Sequence, residues 1–173
     1  MTAPLTDILC TRCGMCCDGT LFADVELSGR AEAVRLEIMG LDVDVDESDV
    51  GLLSQPCAAL KGTRCGIYAH RPNCCRVFEC QLLQDAQNGT VTADEALGRI
   101  VEARRRIHRV RELLIQLGHR DARLPLKERC AEALAVDPGA TPEVTRRRAE
   151  LEAAMADVES ILWESFLGSG SPR

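Results

Sequence analysis

The sequence predicts an α+β fold, mostly α, in which a small irregular cysteine-rich module packs on a C-terminal antiparallel helical hairpin. Three observations predict it. Nine of the ten cysteines in this 173-residue chain fall between Cys10 and Cys80, among short, turn-rich segments. From Thr92 onward, two long apolar stripes run at helical spacing, each bounded by start and stop signals. The two stripes are similar in length and joined by a linker, as in an antiparallel hairpin. The chain accordingly divides into a cysteine module over residues 1–88, a helical extension over 89–168, and a disordered tail over 169–173.

Within the module, residues 1–20 hold the first cysteines among small residues. Thr20–Leu27 alternates loosely and suits a short strand. Ser28 is placed to cap a helix over about Gly29–Met39, which Gly40 stops. Leu41–Asp46 alternates apolar and acidic residues and reads as an edge strand with its carboxylates outward. Residues 51–80 are loop-rich and carry the later cysteines. Thr92-Ala-Asp-Glu95 is a capping box, in which a hydroxyl and a carboxylate satisfy each other's orphan amides. Leu97, Ile100, Ile107, Val110, Leu114 and Leu117 then form one stripe, ended by Gly118. Residues 126–135 suit a short linker helix, and Asp137-Pro-Gly139 a turn. Thr141-Pro142 is an N-cap followed by proline at the first helical position. Val144, Leu151, Met155, Val158, Leu162 and Phe166 form the second stripe, stopped at Gly168.

Composition removes several classes of function. Aromatic residues make up 3 % of the chain, which leaves no stacking platform for single-stranded nucleic acid. A formal net charge of −6 opposes general adhesion to nucleic acid or anionic membrane. The first residues have neither the basic start nor the apolar run of a secretory signal, and no stretch approaches the roughly 18 apolar residues of a membrane span. The expected compartment is the cytoplasm. Thiols stay reduced there, so dense cysteines point to metal binding or catalysis rather than to disulfides.

The spacing of the cysteines carries the chemistry. Cys10-Thr-Arg-Cys13-Gly-Met-Cys16-Cys17 is a C-x2-C-x2-C-C run. Two residues between ligands let a tight turn aim both sulfurs at one ion, as in zinc knuckles and iron–sulfur loops. Gly14 permits the turn with a positive φ. The adjacent pair Cys16-Cys17 tends to point apart, so one thiol can serve a first metal and the other a second. A module of about 80 residues with so little apolar bulk needs a staple, and a structural zinc site can supply roughly 10–16 kcal/mol of apparent binding free energy coupled to folding.

These residues, with those that follow, resemble the bacterial cysteine-cluster family known as the CxxCxxCC or YkgJ-type family, a zinc- or iron-chelating domain. The resemblance rests on Cys10, Cys13, Gly14, Cys16 and Cys17, on Pro56-Cys57, and on Gly62, Cys65, Ile67, Tyr68, Arg71, Pro72, Cys75, Arg76, Phe78 and Cys80. It covers about residues 8–82. It implies a metal-stapled module whose ligands are Cys10, Cys13, Cys16, Cys17, Cys57, Cys65, Cys75 and Cys80, and it gives no role to Cys74 or Cys130. A similar cysteine module is carried by the flagellin lysine methylases, in a much longer chain.

Eight such thiolates around two divalent ions leave about four negative charges, which need compensation if buried. Arg12, Arg71 and Arg76 stand in the cysteine segments, placed in sequence to donate to sulfur or to sit beside the group they hold. Two metals fit. Three closely spaced cysteines and a remote one hold a 4Fe–4S cluster in ferredoxin-type runs, although here the fourth cysteine is adjacent and no Cys-Pro follows. Two tetrahedral four-thiolate zinc sites use eight cysteines equally well.

The remaining candidates read as structural. His70, His108 and His119 suit solvated positions. Asp42, Asp44 and Asp46 begin like a calcium loop, but Glu47 stands where the turn glycine belongs and Leu53 where the bidentate glutamate belongs. The arginine runs Arg104–Arg106 and Arg146–Arg148 are interleaved with glutamates and suit a solvated helix face. Cys74 and Cys130 lack any nearby partner of a Cys-His catalytic pair. The sequence thus points to a cytoplasmic protein that chelates zinc or an iron–sulfur cluster in a structural or accessory role. The alternatives are an iron–sulfur redox or methyl-transfer component, and a zinc-stabilised module whose helical hairpin binds a protein partner.

Overall fold

A computed structural model describes residues 4–45, 50–135 and 141–168. The chain is mostly helical, with two small antiparallel sheets. The turn expected at Asp137–Gly139, the last residue of the strand expected at 41–46, and the tail at 169–173 lie outside the described residues.

The helical half follows its signals closely. Helix α5 spans Ala93–Gln116, and its capping box is formed: Glu95 N–H donates to Thr92 Oγ1 at 3.2 Å, while the Thr92 N–H donates to Glu95 Oε2 at 2.7 Å. Gly118, at φ 91°, closes it: its N–H donates to Ile115 O, and the His119 N–H to Leu114 O. Helix α6 spans Leu126–Leu134. Helix α7 spans Pro142–Leu162, capped by Thr141 Oγ1, and continues as a π-turn over Trp163–Leu167 that carries Phe166 into the core. Helices α5 and α7 pack antiparallel. Arg106 donates to Asp157 O, Arg109 pairs with Glu150, and Arg147 donates to Gln116 O, so contacts climb one helix as they descend the other.

The N-terminal half departs from the expectation in three places. Leu5–Cys13 forms a helix, α1, ended by Gly14 at φ 71°. Ser28 does not cap the next helix, α2 (Arg30–Ile38), through its side chain. Instead its backbone N–H donates to Glu32 Oε2 at 2.9 Å, and the helix starts at Gly29 without a side-chain cap. Gly40 stops α2 as expected, with its N–H on Glu37 O and the Leu41 N–H on Leu36 O. The sheet over this region is three-stranded. Strands β1 (Asp24–Glu26) and β2 (Val43–Val45) flank β3 (Gly51–Ser54), whose partner β1 lies far away in sequence while β2 precedes it closely. Val25 and Val43 both face Leu53 across the ladders. A two-stranded ribbon follows, β4 (Leu60–Lys61) with β5 (Arg64–Cys65), and then the short helices α3 (Asn73–Val77) and α4 (Gln81–Gln87).

Two hydrophobic clusters result. The larger joins Ile100, Ile107, Val110 and Leu114 of α5 to Leu151, Val158 and Phe166, and takes in Leu9, Cys13, Met15, Leu82 and Leu83 from the cysteine half. The smaller lies between α2 and the sheet, around Leu36, Leu41 and Leu53. The halves are also tied by polar contacts. Arg104 donates to Cys13 O at 2.7 Å, Arg111 to Asp18 Oδ2 at 2.8 Å, and Leu126 N–H to Gly19 O at 2.8 Å. The arginine run on α5 therefore is not simply a solvated face: Arg104 and Arg111 reach back across the fold to the cysteine loop. Among the described residues, no helix is long and apolar enough to cross a membrane.

Candidate metal centre

Four elements bring the cysteines together. Helix α1 carries Cys10 and Cys13 one turn apart. Gly14 then reverses the chain, with the Cys17 N–H on Gly14 O at 3.0 Å, and Met15 is fully buried beneath the turn. The turn is held close to the β4–β5 ribbon: Thr63 Oγ1 donates to Thr11 O at 2.6 Å, and a Cβ on Gly14 would stand 3.1 Å from Thr63 Cα. Cys57 is fixed by its N–H, which faces Cys17 O at 2.8 Å and Gln55 Oε1 at 3.1 Å. Cys65 lies on β5, Cys74 and Cys75 on α3, and Cys80 is the N-cap residue of α4.

All eight cysteines implied by the resemblance line one cavity of about 460 Å³. Cys74 lines it too, with its Sγ 4.0 Å from that of Cys75. Sequence reasoning passed over this ninth thiol, because its neighbour already filled the family position. Cys130 stays apart, buried in the larger core. Leu21, Phe22, Leu53, Ile67, Phe78 and Phe166 supply apolar walls, and Phe22 and Phe78 meet edge to face at 5.0 Å. All ten cysteines are free thiols.

The three arginines are placed differently. Arg71 lines the cavity, its guanidinium stacked 3.8 Å over the Tyr68 ring, and its charge acts on Cys10. Its Nε is buried and, among the described residues, has no hydrogen-bond partner. Arg76 also lines the cavity but donates to Arg71 O and Ala69 O, which holds the loop before α3. Arg12 sits in the last turn of α1 and is not among the cavity-lining residues. His70 is exposed and outside the cavity.

Burial makes these thiols poor acids. It pushes Cys10 up to about 11, and Cys13 and Cys17 up to about 12, with neighbouring thiols adding to the shift. Burial also raises Cys16, Cys57 and Cys80. Cys75 is raised first by its hydrogen bond with Cys74 and then by burial, and the same hydrogen bond lowers Cys74. A cluster of thiols that repel one another's charge becomes a cluster of thiolates only when a cation enters.

Nine thiols around one cavity, a buried guanidinium nitrogen with no acceptor among the described residues, and a helical scaffold beneath define a cysteine-rich module. The chain belongs to the CxxCxxCC family, described as "Putative zinc- or iron-chelating domain", whose model matches residues 9–97. No curated protein and no solved structure shows a significant match to it.

Proposed function

We propose that the chain holds a polynuclear metal–thiolate centre, an iron–sulfur cluster being the form that fits best, through Cys10, Cys13, Cys16, Cys17, Cys57, Cys65, Cys75 and Cys80. The observation that carries this reading is the cavity. Four thiolates on a single zinc ion, each about 2.3 Å from it, close on one another and enclose no space. Here nine thiols, with apolar side chains between them, line one cavity of about 460 Å³. The donor set is all sulfur, which suits iron–sulfur clusters as well as zinc. The unpartnered Arg71 Nε is a donor placed for a thiolate or a cluster sulfide, and such bonds tune the potential of a bound cluster. The cluster would supply electron-transfer capacity. The chain's own residues bind it, wall it from water with Phe22, Phe78 and Leu53, and offset its charge with Arg71.

The role is structural or accessory and the compartment cytoplasmic, where thiols remain reduced. Anaerobic purification followed by a visible spectrum and analysis of iron, sulfide and zinc tests the reading. A coloured protein with iron and acid-labile sulfide is the expected result. A colourless protein with two zinc ions would move the reading to paired tetrahedral zinc sites. A folded protein free of both metals would overturn chelation itself.

A further inference from the structure

We infer that Cys74 is a further metal ligand, and that the adjacent thiols of Cys74 and Cys75 close on one and the same ion. The inference rests on the chelating role proposed above and adds to it a sulfur to which the family resemblance gives no role.

The separation of the two sulfurs carries the argument. Both residues line the cavity, and their Sγ atoms stand 4.0 Å apart. Two thiolates each about 2.3 Å from a common ion, in tetrahedral geometry, lie about 3.8 Å apart. At the observed 4.0 Å, an ion about 2.3 Å from each sulfur meets them at an angle of about 120°, close to the tetrahedral value. Two thiolates on separate ions would repel at this distance, and a shared cation removes the repulsion. In a two-iron cluster held by four cysteines each iron takes two thiolates, whereas a four-iron cube held by four cysteines takes one per iron. The pair therefore suits a zinc ion, or an iron with two thiolate ligands.

The backbone beneath the pair is braced from outside the cavity. Successive side chains leave a helix axis about 100° apart, so the approach of these sulfurs depends on how the five-residue α3 is held. Glu32 of α2 holds it at one end. Its carboxylate accepts the Asn73 N–H through Oε1 and the Ser28 N–H through Oε2, each at 2.9 Å. Arg35 of the same helix donates to His70 O at 3.0 Å, and Arg76 donates to Arg71 O and Ala69 O. The segment that carries both thiols is thus pinned to α2 at the residue before Cys74 and again three residues earlier. Cys74 itself packs against the smaller hydrophobic cluster, as do Cys57 and Ile67, so its side chain turns towards the fold.

The test loads the full chain with cadmium-113 ions in place of its native metal and reads cadmium-to-β-proton couplings by NMR, which needs no substitution. One cadmium resonance coupled to the β-protons of both Cys74 and Cys75 is the expected result. A spectrum in which the family cysteines couple to cadmium but no resonance joins Cys74 to Cys75 would overturn the inference while leaving chelation intact. Failure of the reduced, folded chain to bind cadmium would overturn both. Affinity gives a second readout. Cys74→Ser should weaken cadmium binding at least tenfold, because even a partner behind a metal ligand is worth roughly 10–100-fold. Cys130→Ser, the control, should keep the parent affinity. A folded Cys74→Ser protein with parent affinity and an unshifted cadmium spectrum would also overturn the inference.

Discussion

The guanidinium of Arg104 donates a 2.7 Å hydrogen bond to the carbonyl oxygen of Cys13, across 91 positions of sequence. The acceptor belongs to the last turn of α1, where carbonyls lack helical partners and carry the negative end of the helix dipole. One side chain of the scaffold thus steadies the turn between the second and third cysteines. Arg104→Met keeps the aliphatic stem and removes the donor. The expected loss is about 1.5–3 kcal/mol, the range for a hydrogen bond to a charged group. It is read as a lower urea midpoint with an unchanged slope.

Gly14 and Gly40 make a controlled comparison. Both have positive φ, 71° and 81°, but a Cβ on Gly14 would stand 3.1 Å from the Thr63 backbone, while one on Gly40 would meet nothing within 4 Å. Gly40→Ala should cost only the left-handed penalty, roughly 1–2 kcal/mol. Gly14→Ala should cost more and lower the metal-to-protein ratio, because it pushes the ribbon away from the cysteine turn. Equal stability losses in the two variants would contradict this account.

The raised thiols set the pH dependence of the metal-free protein. Cys10, Cys13 and Cys17 lie at about 11, 12 and 12 in the fold, against a usual thiol value of 9.0. The folded state therefore holds their protons more tightly than the unfolded state does. Their contribution is fully present below pH 9 and is lost as pH rises towards 12. Chemical denaturation of the metal-free protein between pH 8 and about 11 should show stability falling with pH. Metal loading runs the other way, because binding expels these protons: proton release should accompany it, and affinity should rise with pH.

Cys130 separates folding from chelation. It is 3 % exposed, lies in the larger core and does not line the cavity. Cys130→Ser places a hydroxyl among apolar side chains and should cost about 1–3 kcal/mol. Metal analysis should show unchanged stoichiometry. A loss of metal from a folded Cys130→Ser protein would mean that this thiol reaches the centre.

The helical half was legible because its signals are local. Thr92 with Glu95, Thr141 with Pro142, and the stop at Gly118 each lie within a few residues of the helix end they determine. The α1 helix was hidden, since Leu9 and Cys13 are its only buried residues and one of them reads first as a ligand. Strand β3 has meaning only through β1 and β2, more than twenty and about eight residues away. Ser28 looked like a cap because serine caps often, but the helix starts at Gly29 and the Ser28 backbone N–H is tied to Glu32 Oε2. The eight family cysteines were legible from spacing and resemblance, and they line one cavity. Cys74 was not, since no one-dimensional pattern tells which of two adjacent thiols on the short α3 helix faces inward; both line the cavity. The reach of Arg104 was equally invisible, because its partner is a backbone carbonyl of another segment.

Phe166, at the far end of α7, closes one wall of the cavity. A ribosome releases Cys80 some 86 residues before it releases that wall. At 5–20 residues per second, the interval is roughly 4–17 s. During synthesis the thiols accordingly stand complete in number before Phe166 joins the side chains around them. Vectorial synthesis thus orders the assembly, with every thiol of the cavity made before the side chain that completes its apolar wall.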